Sequence, residues 1–222
     1  MTKALNNLLV GLLFICASVT LVNAVKFGLA SGYSIGVVSA LDYFDAHQQD
    51  ANLTALPQAE RLVEKMRMLS PTNPYYASQA ASFLSWQLYL QGIDDLTEKS
   101  APFNLETGAL SVRPSWPDSH SQRILYQLRA NATMQDLRGN LELAQRYGPF
   151  EAEVASTSLI IYLKYWDIID VREKRKTIGY LLEHDKYGIN KWELSDLLAK
   201  NPYKFRACNI LTFNQIHLKA CR

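Results

Sequence analysis

Leu8 to Val25 reads LLVGLLFICASVTLVNAV, 18 residues without a charge. At about 1.5 Å per residue such a helix covers roughly 27 Å, close to the hydrocarbon thickness of a bilayer. A secretory signal peptide passes the same test, with Lys3 as its positive start and Val22-Asn23-Ala24 as a small-residue cleavage site. The apolar run is longer than a usual signal core and is followed by more helix-compatible sequence, so an uncleaved anchor is the reading favoured. Phe14-Ile15-Cys16 lacks the small residues that precede a lipidated cysteine, which disfavours a lipoprotein.

Charge sets the orientation expected for that anchor. The α-amino group and Lys3 precede it, while residues 27–60 hold Asp42, Asp45, Asp50 and Glu60 and no Lys or Arg; only Lys26 runs the other way. Positive-inside asymmetry then leaves residues 1–26 as cytoplasmic start and anchor, with the bulk of the chain on the periplasmic side of a bacterial inner membrane. Disulfides persist in that compartment, so Cys208 and Cys221 are a candidate bridge, worth about 3 kcal/mol on a chain-entropy estimate; two reduced thiols are the alternative.

The rest is of globular composition, 48% hydrophobic and 20% charged over 222 residues, enough for one domain of ordinary size beside the span. A net charge of +2, from 23 basic and 21 acidic residues, speaks against nucleic acid as a partner. No proline occurs before Pro57, so 27–56 reads as a helical stalk continuing the anchor and 57–222 as an all-α domain.

Within 57–222 prolines and caps punctuate a helical period. Leu62, Met66 and Leu69 share a face after Pro57; Asn73 and Pro74 start the next helix, with Ala77, Ala80, Ala81, Leu84 and Leu88 aligned and Gly92 as its stop. Asp94 to Pro117 reads as a long connection. Helices follow from Pro117 to about Ala132, with Ile124 and Leu128 inward, and from a Thr133/Asp136 capping box, with Leu137, Leu141 and Ala144 inward. An apolar helix over 150–169 then places Val154, Ile161, Tyr165 and Ile168 in one stripe. Asp170/Glu173 and Asn190/Glu193 cap two more, the first with Ile178, Leu181 and Leu182 inward; the tail after Pro202 has no clear period. Arg67-Met-Leu-Ser-Pro71 with Ala77-Ser78 is echoed by Gln145-Arg-Tyr-Gly-Pro149 with Ala155-Ser156 at one offset. Helix, proline turn, helix is how tetratricopeptide-like hairpins are built, so the expected architecture is an N-terminal transmembrane helix followed by a tetratricopeptide-like array of helical hairpins with two or three degenerate repeats, a helical bundle without repeats being the alternative.

Signatures of catalysis are missing: no GxGxxG, Walker loop, HExxH, GxSxG or CxxC. His47, His120, His184 and His217 are scattered, and no metal or cofactor is implied. Asp94-Asp95 reads as a solvated turn, and Glu151 and Glu153 as helix-start acids favoured by the macrodipole. Arg172, Lys174, Arg175 and Lys176 form the densest basic cluster. They read as a solvated face, with an acidic polysaccharide or lipid headgroups as the functional alternative. Trp86, Trp116, Trp166 and Trp192 read as core packing rather than sugar-stacking platforms. The Asn52-Leu-Thr54 and Asn131-Ala-Thr133 sequons carry meaning only in a eukaryotic secretory pathway.

The middle of the chain is more specific. Ser111-Val-Arg-Pro-Ser-Trp-Pro117, then Leu125-Tyr-Gln-Leu128, Leu141-Glu-Leu-Ala-Gln-Arg-Tyr-Gly-Pro-Phe-Glu151 and Tyr165-Trp166 resemble the VpsP family of polysaccharide biosynthesis proteins. Arg113, Pro114, Trp116, Pro117, Ala144, Gly148, Pro149, Phe150, Glu151 and Trp166 match its "RP.WP" and "A...GP[WF]E" pattern, Phe150 standing where tryptophan is more usual. The likeness is dense from 111 to 166, and the membrane segment, Leu69-Ser-Pro71, Cys208 and Cys221 are similar in placement. It implies a non-catalytic accessory or scaffold protein that binds polysaccharide synthesis and export components at the inner membrane for exopolysaccharide of a biofilm matrix. Gly148-Pro149 would set a turn, with Trp116 and Phe150 packed beside it. Direct polysaccharide binding is the alternative, and an undetected polysaccharide-modifying enzyme a third.

Overall fold

A computed structural model describes residues 2–47, 55–93, 96–97 and 99–221. Among them the chain forms ten α-helices and no strand. The helices are α1 (Thr2–Ala46), α2 (Leu56–Leu69), α3 (Pro74–Leu90), α4 (Ala101–Val112), α5 (Pro117–Arg129), α6 (Met134–Tyr147), α7 (Ala152–Lys164), α8 (Val171–Leu182), α9 (Lys191–Lys200) and α10 (Lys204–Phe213). Short 3-10 turns lie at His184–Tyr187 and Lys219–Cys221. The chain divides into two compact units, Met1–Asp94 and Asp95–Arg222. Helices α2 and α3 therefore group with α1, whereas the sequence places them in one domain with all the later helices.

In the first unit α1 changes character along its length. Every residue described from Asn7 to Leu29 is exposed, and the helix is long and apolar enough to cross a membrane, with a peak mean hydropathy of 2.4. From Ala30 onward one face is buried: Ala30, Ser34, Val37 and Phe44 recur at helical spacing. That face is held by α2 and α3. Lys65 lies over the Tyr33 ring at 5.4 Å, the Ser34 hydroxyl donates to Gln79 Oε1 at 2.8 Å, and Phe44 approaches Trp86 at 6.2 Å. Within the 27–56 stretch, read from sequence as a helical stalk, residues 30–46 are helical and pack one face on α2 and α3. Asn73 caps α3 by accepting from the Tyr75 amide, and Gly92, with φ of 75°, follows its end.

Three helix-to-helix junctions share one geometry. The residue before proline closes the helix at Ser70 (φ −145°, ψ 71°), Arg113 (−135°, 72°) and Gly148 (−132°, 60°). Each donates its amide to the carbonyl four residues back, and its own carbonyl accepts from Asn73, Trp116 and Glu151 respectively. Proline bars the preceding residue from helical ψ, which forces this exit. The next helix then starts at Pro74, Pro117 or Ala152. The echo between 67–71 and 145–149 thus has a third member at Arg113-Pro114 that sequence comparison overlooks.

The core of the second unit is assembled from α5 to α10. It includes Ile124, Leu137, Leu141, Ala144, Val154, Leu159, Ile161, Leu181, Leu194, Leu198 and Leu211, each 2% exposed or less. Burying each such leucine or isoleucine contributes on the order of 1.5–3 kcal/mol. The three predicted capping boxes are present at Thr133/Asp136, Asp170/Glu173 and Asn190/Glu193. Four expectations are corrected. The stretch read as a long connection from Asp94 to Pro117 contains α4. The 150–169 helix ends at Lys164, leaving Ile168 66% exposed in the following turn. On α8 the buried stripe is Thr177, Tyr180 and Leu181, which turns Ile178 outward. The tail after Pro202 is helical as α10.

Candidate functional site

The two halves of the RPSWP and GPFE pattern meet in space. Pro117 opens α5 at the position where a missing amide costs nothing. Gly148 closes α6 against it so tightly that a Cβ on Gly148 would lie 2.6 Å from Pro117 Cβ and 2.8 Å from Glu151 Cγ. One turn into α5, buried His120 donates from Nε2 to the Pro114 carbonyl at 2.9 Å, and its ring stacks on Tyr147 at 6.0 Å. Arg113 covers the half-buried Trp116 ring at 5.1 Å. Gln122 reaches from α5 to Glu153 Oε1 on α7 at 3.1 Å. Phe150 is 59% exposed but stacks on Tyr187 at 6.0 Å, and Tyr187 meets Tyr180 edge-on at 4.7 Å. Glu151 is the exposed N-cap of α7. These residues bind α5, α6, α7 and the His184–Tyr187 turn to one another.

Beneath the junction lies a polar network that sequence reading missed. Buried Gln145 donates to Ser158 Oγ at 3.0 Å and to Tyr162 Oη at 2.9 Å, while its carbonyl oxygen accepts from Lys176 Nζ. Burial pushes the Tyr162 hydroxyl far above the usual tyrosine range and also raises that of Tyr180. No local spacing announces this set, because its members come from α6, α7 and α8.

Members of the basic cluster make separate contacts. Lys176 is spent on Gln145. Lys174 lies over Trp166 at 5.8 Å, a ring that also carries Arg206 at 5.3 Å, and Arg206 pairs with Asp167 at 2.9 Å. Arg172 sits near Asp170, whose carboxylate is held below its ordinary value chiefly by the Glu173 backbone amide. Arg172, Arg175 and Lys176 are all exposed, and only Lys174 is half-buried. The tryptophans divide too. Trp86, Trp116 and Trp166 are half-buried, but Trp192 is 70% exposed, which corrects its assignment to the core. It lies outward because Leu194 and Leu198 define the inward face of α9 and Trp192 is about 200° away from Leu194 on the helix.

Cys208 and Cys221 are bonded, with Cα atoms 5.3 Å apart; Cys16 is exposed on α1 within the Leu8–Val25 stretch. His184 bonds the Ile189 carbonyl at 2.7 Å, and no group of three metal-ligating side chains occurs among the described residues. Asp94, Asp95, Asn52 and Thr54 lie outside the described residues. No protein family, curated protein or solved structure matches this chain.

Proposed function

We propose that this chain is a non-catalytic accessory protein of exopolysaccharide biosynthesis and export, binding other components of the machinery through helical-hairpin surfaces. In this reading α1 anchors it in a bacterial inner membrane and both helical units face the periplasm, the hairpins forming a tetratricopeptide-like array. The single observation that carries the proposal is the use to which the family-like residues are put. Arg113, Pro114, Trp116, Pro117, Gly148 and Phe150 set turns and pack helices instead of aiming reactive groups at a common point. The repeated proline junction supports the hairpin reading, and the charge asymmetry about α1 supports the orientation.

Crosslinking at the native membrane, with mass spectrometry of the captured proteins, tests the partner. Synthesis or export components should be recovered, and recovery of unrelated envelope proteins alone would reject the scaffold role. Deletion should abolish assembled polymer. Turnover of purified polymer by the protein would replace this reading with an enzymatic one, and a mature chain beginning at Val25 would replace the anchor with a signal peptide.

A further inference from the structure

A groove of about 670 Å³ runs between α9 and the C-terminal segment 217–220. Its α9 wall is one stripe of the helix, Lys191, Trp192, Ser195 and Asp196, and its other wall carries His217 and Lys219. The groove is built from both sides. Leu218 anchors the second wall in the core at 2% exposure, the Ala220 amide donates to Ser195 Oγ at 3.1 Å, and the Cys208–Cys221 bond ties the segment to α10. Its volume falls within the roughly 300–1,000 Å³ of small-molecule sites.

The chemistry of the lining selects the occupant. Trp192 leaves a large flat apolar face open to solvent at 70% exposure, on which a ring with an apolar face can stack. The one carboxylate in the lining, Asp196, is neutralised by Lys200 at 3.0 Å. Lys191 and Lys219 have no ion-pair partner among the described residues, so the groove is left net positive. A ring with an apolar C–H face and a carboxylate answers both the open indole and the unpaired lysines.

We infer that this groove binds an anionic saccharide of the uronic-acid type, stacked on Trp192 with its carboxylate held between Lys191 and Lys219. The inference rests on the polysaccharide reading above for its biological setting, but its test does not. Ser195, His217 and backbone groups of 217–220 offer hydrogen bonds to hydroxyls, which distinguishes the site from a lipid-facing patch. Lys191 and Lys219 give it an ionic-strength dependence.

The full chain in detergent is titrated with an oligogalacturonate hexasaccharide, with neutral maltohexaose and with anionic phospholipid vesicles, using calorimetry. Oligogalacturonate should bind with an affinity that falls severalfold between low and physiological salt, and maltohexaose at least tenfold more weakly. Trp192→Ala and the pair Lys191→Gln/Lys219→Gln should each reduce oligogalacturonate affinity more than tenfold, with the helical circular dichroism unchanged because these side chains are exposed. Arg172→Gln/Arg175→Gln should leave it unaltered. Equal binding of the neutral sugar, unaltered binding by the groove variants, preference for vesicles over the saccharide, or no saccharide binding would each overturn the inference. In cells the two ideas separate. A deletion strain that lacks polymer but is fully restored by the Trp192→Ala chain leaves the accessory role standing and shows that polymer assembly does not depend on the groove, whose binding the titration decides. A deletion that leaves polymer intact refutes the accessory role, while the titration still decides the groove.

Discussion

Replacing Gly148 with alanine puts a methyl carbon 2.6 Å from Pro117 Cβ, 2.8 Å from Glu151 Cγ and 2.9 Å from Pro117 Cγ. Carbon pairs settle at about 3.5–4.0 Å, so the α5 start or the 148–151 turn must retreat by about 1 Å. The glutamate chain can swing aside, but the proline ring is fused to the backbone at the first position of α5 and cannot. Overpacking of this kind costs about 1–3 kcal/mol. Gly148 has φ of −132°, a conformation any residue adopts, so no backbone penalty is added. Restricting the unfolded chain returns about 0.4–1 kcal/mol. The net expectation is a loss of about 1–2 kcal/mol, read as a fall of several degrees in the thermal midpoint of the full chain in detergent by circular dichroism. Gly139→Ala is the internal control. It lies on the same helix with nothing within 4 Å of the added carbon, and it should raise the midpoint by removing a helical glycine. Pro117→Gly removes both proline carbons, so in a double-mutant cycle Gly148→Ala should cost markedly less in that background. If Gly148→Ala unfolds no earlier than the native chain, the contact does not hold the two motif halves together and the reasoning fails.

Gln145→Leu should destabilise the protein by about 1–3 kcal/mol in chemical unfolding, because it strands the Tyr162 hydroxyl in the core, takes one of two partners from Ser158, which keeps Tyr180, and removes the acceptor of Lys176. Restoration of the loss by Ser158→Ala alone would point to a different cause. Cys208→Ser should cost about 2–3 kcal/mol for a loop of 13 residues and should abolish the effect of dithiothreitol on the unfolding midpoint. Asp136 and Asp170 both titrate below their ordinary value, Asp136 through bonds from Thr133 and Asp170 through the Glu173 amide. Their stabilising contribution is complete above the unfolded carboxylate range and disappears as pH falls through the lower folded values. Unfolding midpoints measured downward from about pH 5 should therefore drop less in the Asp136→Asn/Asp170→Asn double variant than in the native chain.

Local codes made much of the fold readable. The caps at Thr133, Asp170 and Asn190 act within four residues, so a one-dimensional pattern contains them. Helix α4 escaped for the opposite reason. Its buried stripe is Pro102, Phe103, Glu106, Ala109 and Leu110, at good helical spacing, but proline and glutamate are two of the five members. A search for apolar periodicity passes over it, and part of its fixing comes from α5, where Arg123 lies over Phe103 at 4.7 Å. The end of α7 was misplaced because an apolar run does not mark where the backbone leaves the helix. There the turn is held from a distance, by Tyr165 Oη donating to the Ala132 carbonyl at 2.7 Å. The site residues of the proline motifs were legible as turn-formers, whereas their mutual contact across 31 positions, Pro117 to Gly148, was not. Residue type assigns Trp192 to the core, whereas its angle on α9 relative to Leu194 points it outward.

The 45 residues of α1 run without a break, and the solvent-open stretch ends at Leu29 one residue before the face gripped by α2 and α3 begins. At about 1.5 Å per residue the rod is roughly 67 Å long, twice what a bilayer core needs. In the anchored reading proposed above, a rod with no joint at that boundary has no slack: any tilt, piston motion or thickness mismatch imposed on its lower half is delivered to the collar formed by α2 and α3. Inserting a glycine pair at 29/30 would uncouple the two halves, turning a rigid mast into a tether.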